Sequence, residues 1–212
     1  MQLASRGEFC HEVYQARLML SSITHACNPT IQPNIYRMIA QPSSTKSNST
    51  LLQGFPPVVN ADTHTLILGS FPGVASLDAT QYYAHKQNQF WRLVSASLGS
   101  DLVELDYEQR LQVLLAHGIG LWDVFHSCAR TGSLDSAIRN GKLNDFSMLQ
   151  ASHPTLRKLY FNGQTAGKMA AYFSERGYVT AILPSSSPAY AIRSFEEKLQ
   201  VWRSELRPAI SL

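Results

Sequence analysis

Two short runs of small residues and prolines mark where this chain could do chemistry: Gly69-Ser70-Phe71-Pro72-Gly73, and far downstream Leu183-Pro184-Ser185-Ser186-Ser187-Pro188-Ala189. Such runs leave backbone N–H groups open and let a ligand approach the main chain closely. Between them lies Tyr82-Tyr83-Ala84-His85-Lys86-Gln87-Asn88-Gln89-Phe90-Trp91, where aromatics sit beside amides and a basic residue. That mixture suits a pocket that stacks a flat ring and reads its edge. Serine-hydrolase and dinucleotide chemistry do not fit, because neither a G-x-S-x-G elbow nor a G-x-G-x-x-G turn is present. No lysine is marked as a Schiff-base nucleophile.

Each of these residues also has a plainer reading. Phe90 and Trp91 suit core packing at a helix start. Asn88 is either a pocket amide or a helix N-cap. Tyr82 and Tyr83 cannot both face the core if the loop is extended, since adjacent side chains point oppositely. Asp123 could be a structural carboxyl after a strand, Asn162 a turn residue, and Ser185 to Ser187 a strand-to-helix turn. His85, His117 and His126 have no metal-ligand spacing and read as ordinary surface or core residues, although His85 sits between Tyr83 and Asn88.

Both small-residue runs follow apolar stretches that read as buried strands, over residues 65–69 and 178–183. Further strands are expected over 118–125 and 156–162, and helices over 88–98, 106–116, 164–176 and 194–206. Continuous apolar strands separated by helices imply a parallel sheet covered on both faces. The expected fold is α/β, a three-layer αβα sandwich with a short central parallel sheet, whose ligand cleft lies beyond the carboxyl ends of the strands.

The 212 residues suffice for one domain of ordinary size plus a tail. Residues 1–50, acid-poor and ending in a serine-rich stretch, read as a flexible N-terminal extension, and residues 51–212 as the functional domain. A net charge of +3 permits a polyanionic partner without requiring one. No apolar run is long enough to cross a bilayer. Three scattered cysteines, Cys10, Cys27 and Cys128, build neither a disulfide framework nor a four-cysteine cluster. A cytoplasmic protein without metal, cofactor or membrane contact is expected.

The segment from Gly54 to Ser204 resembles the uracil-DNA glycosylase superfamily, and within it the hypoxanthine-DNA (deoxyinosine) glycosylase branch. Five runs in order carry the resemblance: GSFPGVASL, YYAHKQNQFW, GIGLWDVFHSCARTGSLDSAI, YFNGQTA and LPSSSPA. In the mismatch-specific uracil enzymes the first motif reads G-I-N-P-G and its Asn positions the attacking water; here that position is Phe71. The resemblance moves the catalytic role to the Asn of the N-x-F-W element, Asn88. The usual Pro before that element is Lys86. The position of the catalytic His in the uracil-specific enzymes is Leu183, and the iron–sulfur branches need more cysteines than this chain spaces suitably.

What the resemblance implies is a monofunctional DNA glycosylase that extrudes a deaminated base, cuts it from its sugar with water and leaves an abasic site. Asn88 would orient the water. Ser70, Phe71, Pro72, Gly73, Tyr83, Asp123 and Asn162 would hold the base, with Tyr83 stacked on it and Asp123, as a carboxylate, accepting from a ring N–H. Ser185, Ser186 and Ser187 would grip phosphates, while Pro188, Ala189, Tyr190 and Arg193 would face DNA, Tyr190 as the wedge that fills the vacated stack. The partner would be DNA containing deaminated bases, engaged by a monomer. Rival readings are a uracil-DNA glycosylase of the same fold and a non-catalytic nucleic-acid binder.

Overall fold

A computed structural model of the chain describes residues 51–147 and 149–207. The expectations for residues 1–50, including Cys10 and Cys27, lie outside them. In chain order the first elements are β1 (Leu51–Gln53), β2 (Thr65–Gly69), α1 (Val74–Ala79), α2 (Phe90–Leu98) and α3 (Tyr107–Ala116). Then come β3 (Ile119–Asp123), β4 (Phe125–Ala129), β5 (Arg139–Leu143) and α4 (Leu149–Ser152). The last are β6 (Lys158–Asn162), α5 (Gln164–Gly167), α6 (Ala170–Ser174), β7 (Val179–Leu183) and α7 (Phe195–Leu206).

Every residue of β2 is buried, as a continuous apolar strand in a covered parallel sheet should be. β2 pairs in parallel with β3 and β6, and β7 adds in parallel to β6, giving the order β3-β2-β6-β7. Alternation sends Ile67 to one face and Leu66 and Leu68 to the other. On the first face Phe90, Leu93 and Val94 of α2, Leu114 of α3 and Trp202 of α7 pack with Ile67, Leu121 and Tyr160. On the second, Leu149, Ala166 and Phe173 from α4 to α6 pack with Leu66, Leu68, Trp122 and Phe161. These are the three expected layers. Register then decides the site: Gly69 lies beside Asp123, and Asn162 beside Leu183, all at carboxyl ends.

Three local expectations are corrected. The run 118–125 is two strands, not one: at Val124 the chain leaves the parallel sheet, and β4 joins β1 and β5 in a separate antiparallel sheet of order β1-β4-β5. Asn144 secures the departure, its Nδ2 donating to the Asp123 carbonyl and its N–H to the Val124 carbonyl. β5, Arg-Asn-Gly-Lys-Leu, is exposed throughout and carries no apolar signal. The helix expected over 164–176 breaks after Gly167, which packs against the Ile182 side chain; the Met169 N–H turns back to Ala166, a tightened turn. Finally, α2 begins at Phe90, two residues late, because the Asn88 side chain caps that N–H. By contrast α3 and α7 start one residue after Asp106 and Ser194, each closing a capping box with Gln109 and Glu197.

Candidate active site

One cavity of about 540 Å³ opens at the carboxyl ends of the parallel strands, a size ordinary for a small-molecule or base pocket. Every residue expected to touch DNA or base borders it: Ser70 to Gly73, Tyr83, Asn88, Asp123, Asn162, Ser185 to Tyr190 and Arg193.

The aromatic loop is not extended at its two tyrosines, so alternation does not separate them and both pack against the same core cluster. Tyr82 is buried, its hydroxyl donating to the Pro56 carbonyl at 3.1 Å, while Trp91 Nε1 donates to its carbonyl. Tyr83, at φ 56°, takes the left-handed conformation that a bulky residue adopts only under constraint. Its ring lies flat on Phe90, centroids 3.7 Å apart and planes 9° apart. One face is therefore covered, and the ring still borders the cavity. Phe90 and Trp91 are core residues, as their plainer reading holds.

Asn88 is held at both ends of its residue. Its N–H donates to the His85 carbonyl at 2.8 Å, and its Oδ1 accepts from the Phe90 N–H at 3.0 Å. Asn88 thus stands one residue before the N-cap position, Gln89, holds the first helical N–H, and borders the cavity. The cap orients the carboxamide, and Oδ1 keeps a second lone pair for another donor.

Asp123 ends β3 at 4% exposure, and its Oδ2 has no hydrogen-bond partner. Gly69 is required opposite it, because a Cβ there would collide with Asp123 Oδ1. Burial, reinforced by Asp135 and opposed by Arg130, pushes the Asp123 carboxyl up to about 7. Near neutral pH this group is divided between acid and anion, where a carboxylate was expected. Burial first, with Asp123 adding to it, also holds the Tyr83 phenol far above its ordinary value.

The glycine-proline loop is braced by residues that sequence reading missed. Ser70 Oγ donates to Asp135 Oδ1 at 2.6 Å, Ser133 Oγ accepts from the Val74 N–H at 2.9 Å, and Arg130 Nη2 donates to the Pro72 carbonyl. The Arg130 guanidinium lies 5.0 Å from the Phe71 ring centroid. All three residues stand in the run GIGLWDVFHSCARTGSLDSAI. An arginine and an acid beyond the end of a strand were the available signal.

The serine loop is tied down from three elements. Asn162 bonds Ser186 twice, the Gln89 N–H donates to the Ser186 carbonyl, and Trp202 Nε1 donates to the Pro184 carbonyl. Lys198, 2% exposed, donates from Nζ to Gln89 Oε1 and to the Tyr190 carbonyl. Ser186 is completely buried, which corrects its expected role: its N–H, carbonyl and hydroxyl are all engaged inside the protein, so it anchors the loop rather than gripping phosphate. Ser185 and Ser187 are half-buried, Pro188, Ala189 and Arg193 exposed. Tyr190 is half-buried with Lys198 Nζ 5.2 Å from its ring centroid, whereas Ile192, which sequence reading passed over, is 86% exposed. Leu183, at the position of a catalytic His elsewhere, is a core residue. Among the described residues no helix is long and apolar enough to cross a membrane, and no three His, Cys, Asp or Glu side chains converge as a metal site.

Comparison with known proteins adds to this geometry. Residues 56–209 match the Uracil DNA glycosylase superfamily. The chain belongs to that superfamily. Among curated relatives, a protein of Methanosarcina barkeri named hypoxanthine DNA glycosylase is 43% identical over 71% of this chain and 94% of its own length. Another of that name, from Methanosarcina acetivorans, is 45% identical over 65% of this chain and 87% of its own. A solution NMR structure from Methanosarcina acetivorans, described as a candidate uracil DNA glycosylase, superposes with a TM-score of 0.68 at 41% identity. It covers 74% of this chain and 97% of that one. Within the superfamily this chain combines a Phe in the first motif, a Leu in the last, and a carboxyl where β3 meets the cavity.

Proposed function

We propose that this chain is a monofunctional DNA glycosylase that hydrolyses the N-glycosidic bond of hypoxanthine in DNA, releasing the base and leaving an abasic site. One observation carries the reading: Tyr83, Asn88 and Asp123, from a strained loop, a helix start and a strand end, border a single cavity with the serine loop at its edge. The names of the two Methanosarcina relatives support it.

A base inside a duplex is out of reach, so it is extruded into the cavity. The Tyr83 ring, backed by Phe90, supplies a rigid stacking surface for a purine. Asp123 meets the edge of the base at the floor. Breaking the bond leaves the sugar carbon C1′ cationic and the electron pair on the base, so catalysis depends on placed charge more than on a strong nucleophile. Asn88 is too weak a base to ionise water. Its Oδ1, fixed by the Phe90 N–H, instead orients a water and turns a carbonyl dipole toward the developing cation. Ser185, Ser187 and Arg193 hold the phosphates on either side.

Uracil excision in the same cavity is the second reading, favoured by the description of the solution structure. Labelled oligonucleotides bearing inosine, uracil or xanthine, incubated with the protein in EDTA and then treated with hot alkali, separate the two. Strand breaks at inosine are expected. Breaks at uracil alone would replace the substrate, and none at any lesion would end the proposal.

A further inference from the structure

We infer that Asp123 is the acid of the reaction, passing its carboxyl proton to N7 of the departing purine; this rests on the hypoxanthine glycosylase reading above. Asp123 is more than nine-tenths buried on the cavity wall, and Oδ2 is left without a partner. The opposite oxygen, Oδ1, lies over the bare Gly69 main chain, where any Cβ would strike it. The strand end is itself rigid, held by the β2–β3 register and by Asn144 on the Asp123 carbonyl. Oδ2 is closed off inside the protein, so the carboxyl meets whatever enters through Oδ1, which lies over the cavity-lining Gly69.

The groups around it set its proton. Asp135, held by the Ser70 hydroxyl, disfavours a second negative charge nearby, while Arg130, committed to the Pro72 carbonyl and the Phe71 ring, favours it. The Tyr83 hydroxyl is buried without a partner, and burial holds both Tyr82 and Tyr83 neutral. Desolvation outweighs Arg130, so the carboxyl carries its proton up to about neutral pH.

Chemistry gives that proton a use. As C1′–N9 breaks, its electron pair stays on the purine, and a carboxylate against the ring would oppose that charge. A neutral carboxyl does the reverse. The Asp123 carboxyl proton moves to N7, giving neutral hypoxanthine and an Asp123 carboxylate. Water adds to C1′ and releases one proton, which restores the carboxyl. Deoxyinosine and water enter; hypoxanthine and the abasic sugar leave.

Single-turnover excision of inosine across about pH 5.5 to 8.5 tests this. The wild-type rate is expected to fall tenfold per pH unit above about 7. Asp123→Asn, which cannot transfer a proton, should be about 100-fold slower at the acid end and flat with pH. His85→Gln should keep the wild-type fall, separating Asp123 from the histidine on the cavity rim. On DNA carrying 7-deaza-2′-deoxyinosine, wild type should drop to the level of Asp123→Asn, and the substitution should add no further loss. A wild-type rate that is flat or rises with pH overturns the proposal, the rising case making Asp123 a carboxylate that steadies the sugar cation. So does an undiminished cost of Asp123→Asn on the 7-deaza base. Excision of inosine in those cases leaves the glycosylase reading standing; no alkali-labile product at any pH removes that reading itself.

Discussion

The carboxamide of Asn162 clasps Ser186 from both of its ends: Oδ1 accepts from the Ser186 N–H at 2.8 Å, and Nδ2 donates to Ser186 Oγ at 2.8 Å. The end of β6 is thereby joined to the loop after β7. Because Ser186 is wholly buried, Asn162→Ala strands two polar groups without water. A loss of about 2–3 kcal/mol in urea unfolding is expected. Ser186→Ala removes the hydroxyl alone and should cost less. The double variant should cost less than the two single losses combined, since the residues share a bond. Full additivity would mean that the clasp does not hold the loop.

Asn88→Ala should slow inosine excision by about 100- to 1,000-fold, the scale of losing one oriented dipole in an enclosed site. Binding of the lesion duplex, measured by fluorescence anisotropy, should change little, because Asn88 acts on the water and the sugar cation. The cap on the Phe90 N–H also disappears, at a stability cost of about 1 kcal/mol. Asn88→Ser, which can still cap, should restore stability without restoring the rate. If Ser recovers both, Asn88 is a cap and no more.

Asp123 also leaves a signature on stability. Its carboxyl titrates at about 7 in the folded chain against an ordinary 3.8. Between those values the folded state holds a proton that the unfolded state lacks. The stabilising contribution is thus full below about pH 4, declines as pH rises, and is gone above about pH 7. The shift is worth about 4 kcal/mol. Relative to Asp123→Asn, wild type should lose that much between about pH 4 and pH 8 in urea titrations. Parallel curves for the two proteins would show that Asp123 titrates outside this range.

Those predictions draw on residues of unequal legibility. The parallel sheet was readable because strands such as Thr65-Leu66-Ile67-Leu68 are apolar throughout, which only a strand covered on both faces tolerates. The second sheet was not. β4 follows β3 after the single residue Val124, so the two read as one run, and exposed β5 has no hydrophobic period to detect. At the site, Tyr83, Asn88 and Asp123 stood in motifs and were legible as types. Their states were not, since the raised titration of the Asp123 carboxyl depends on burial first, then on Asp135 and Arg130 arriving from beyond its strand. Ser186 shows the converse error, a hydroxyl in a polar run whose burial follows from Asn162, distant in sequence.

The wedge is where structure shifts an expectation from one residue to another. Tyr190 is half-buried, its carbonyl bound by Lys198 and its ring 5.2 Å from the same ammonium, so moving it into a base stack would break those contacts. Ile192 is held by no such contact, lies beside Arg193, and at 86% exposure is the most exposed of the large apolar side chains among the described residues. An isolated exposed isoleucine needs no explanation in general; one next to a loop that borders the cavity fits a side chain that enters the stack when a base leaves it. Ile192→Ala should reduce the fluorescence rise of 2-aminopurine placed beside inosine and slow excision about tenfold, with unfolding in urea unchanged. Tyr190→Ala should instead lower stability by about 1–2 kcal/mol through its lost packing and leave the 2-aminopurine signal in place. The opposite pattern would return the wedge to Tyr190.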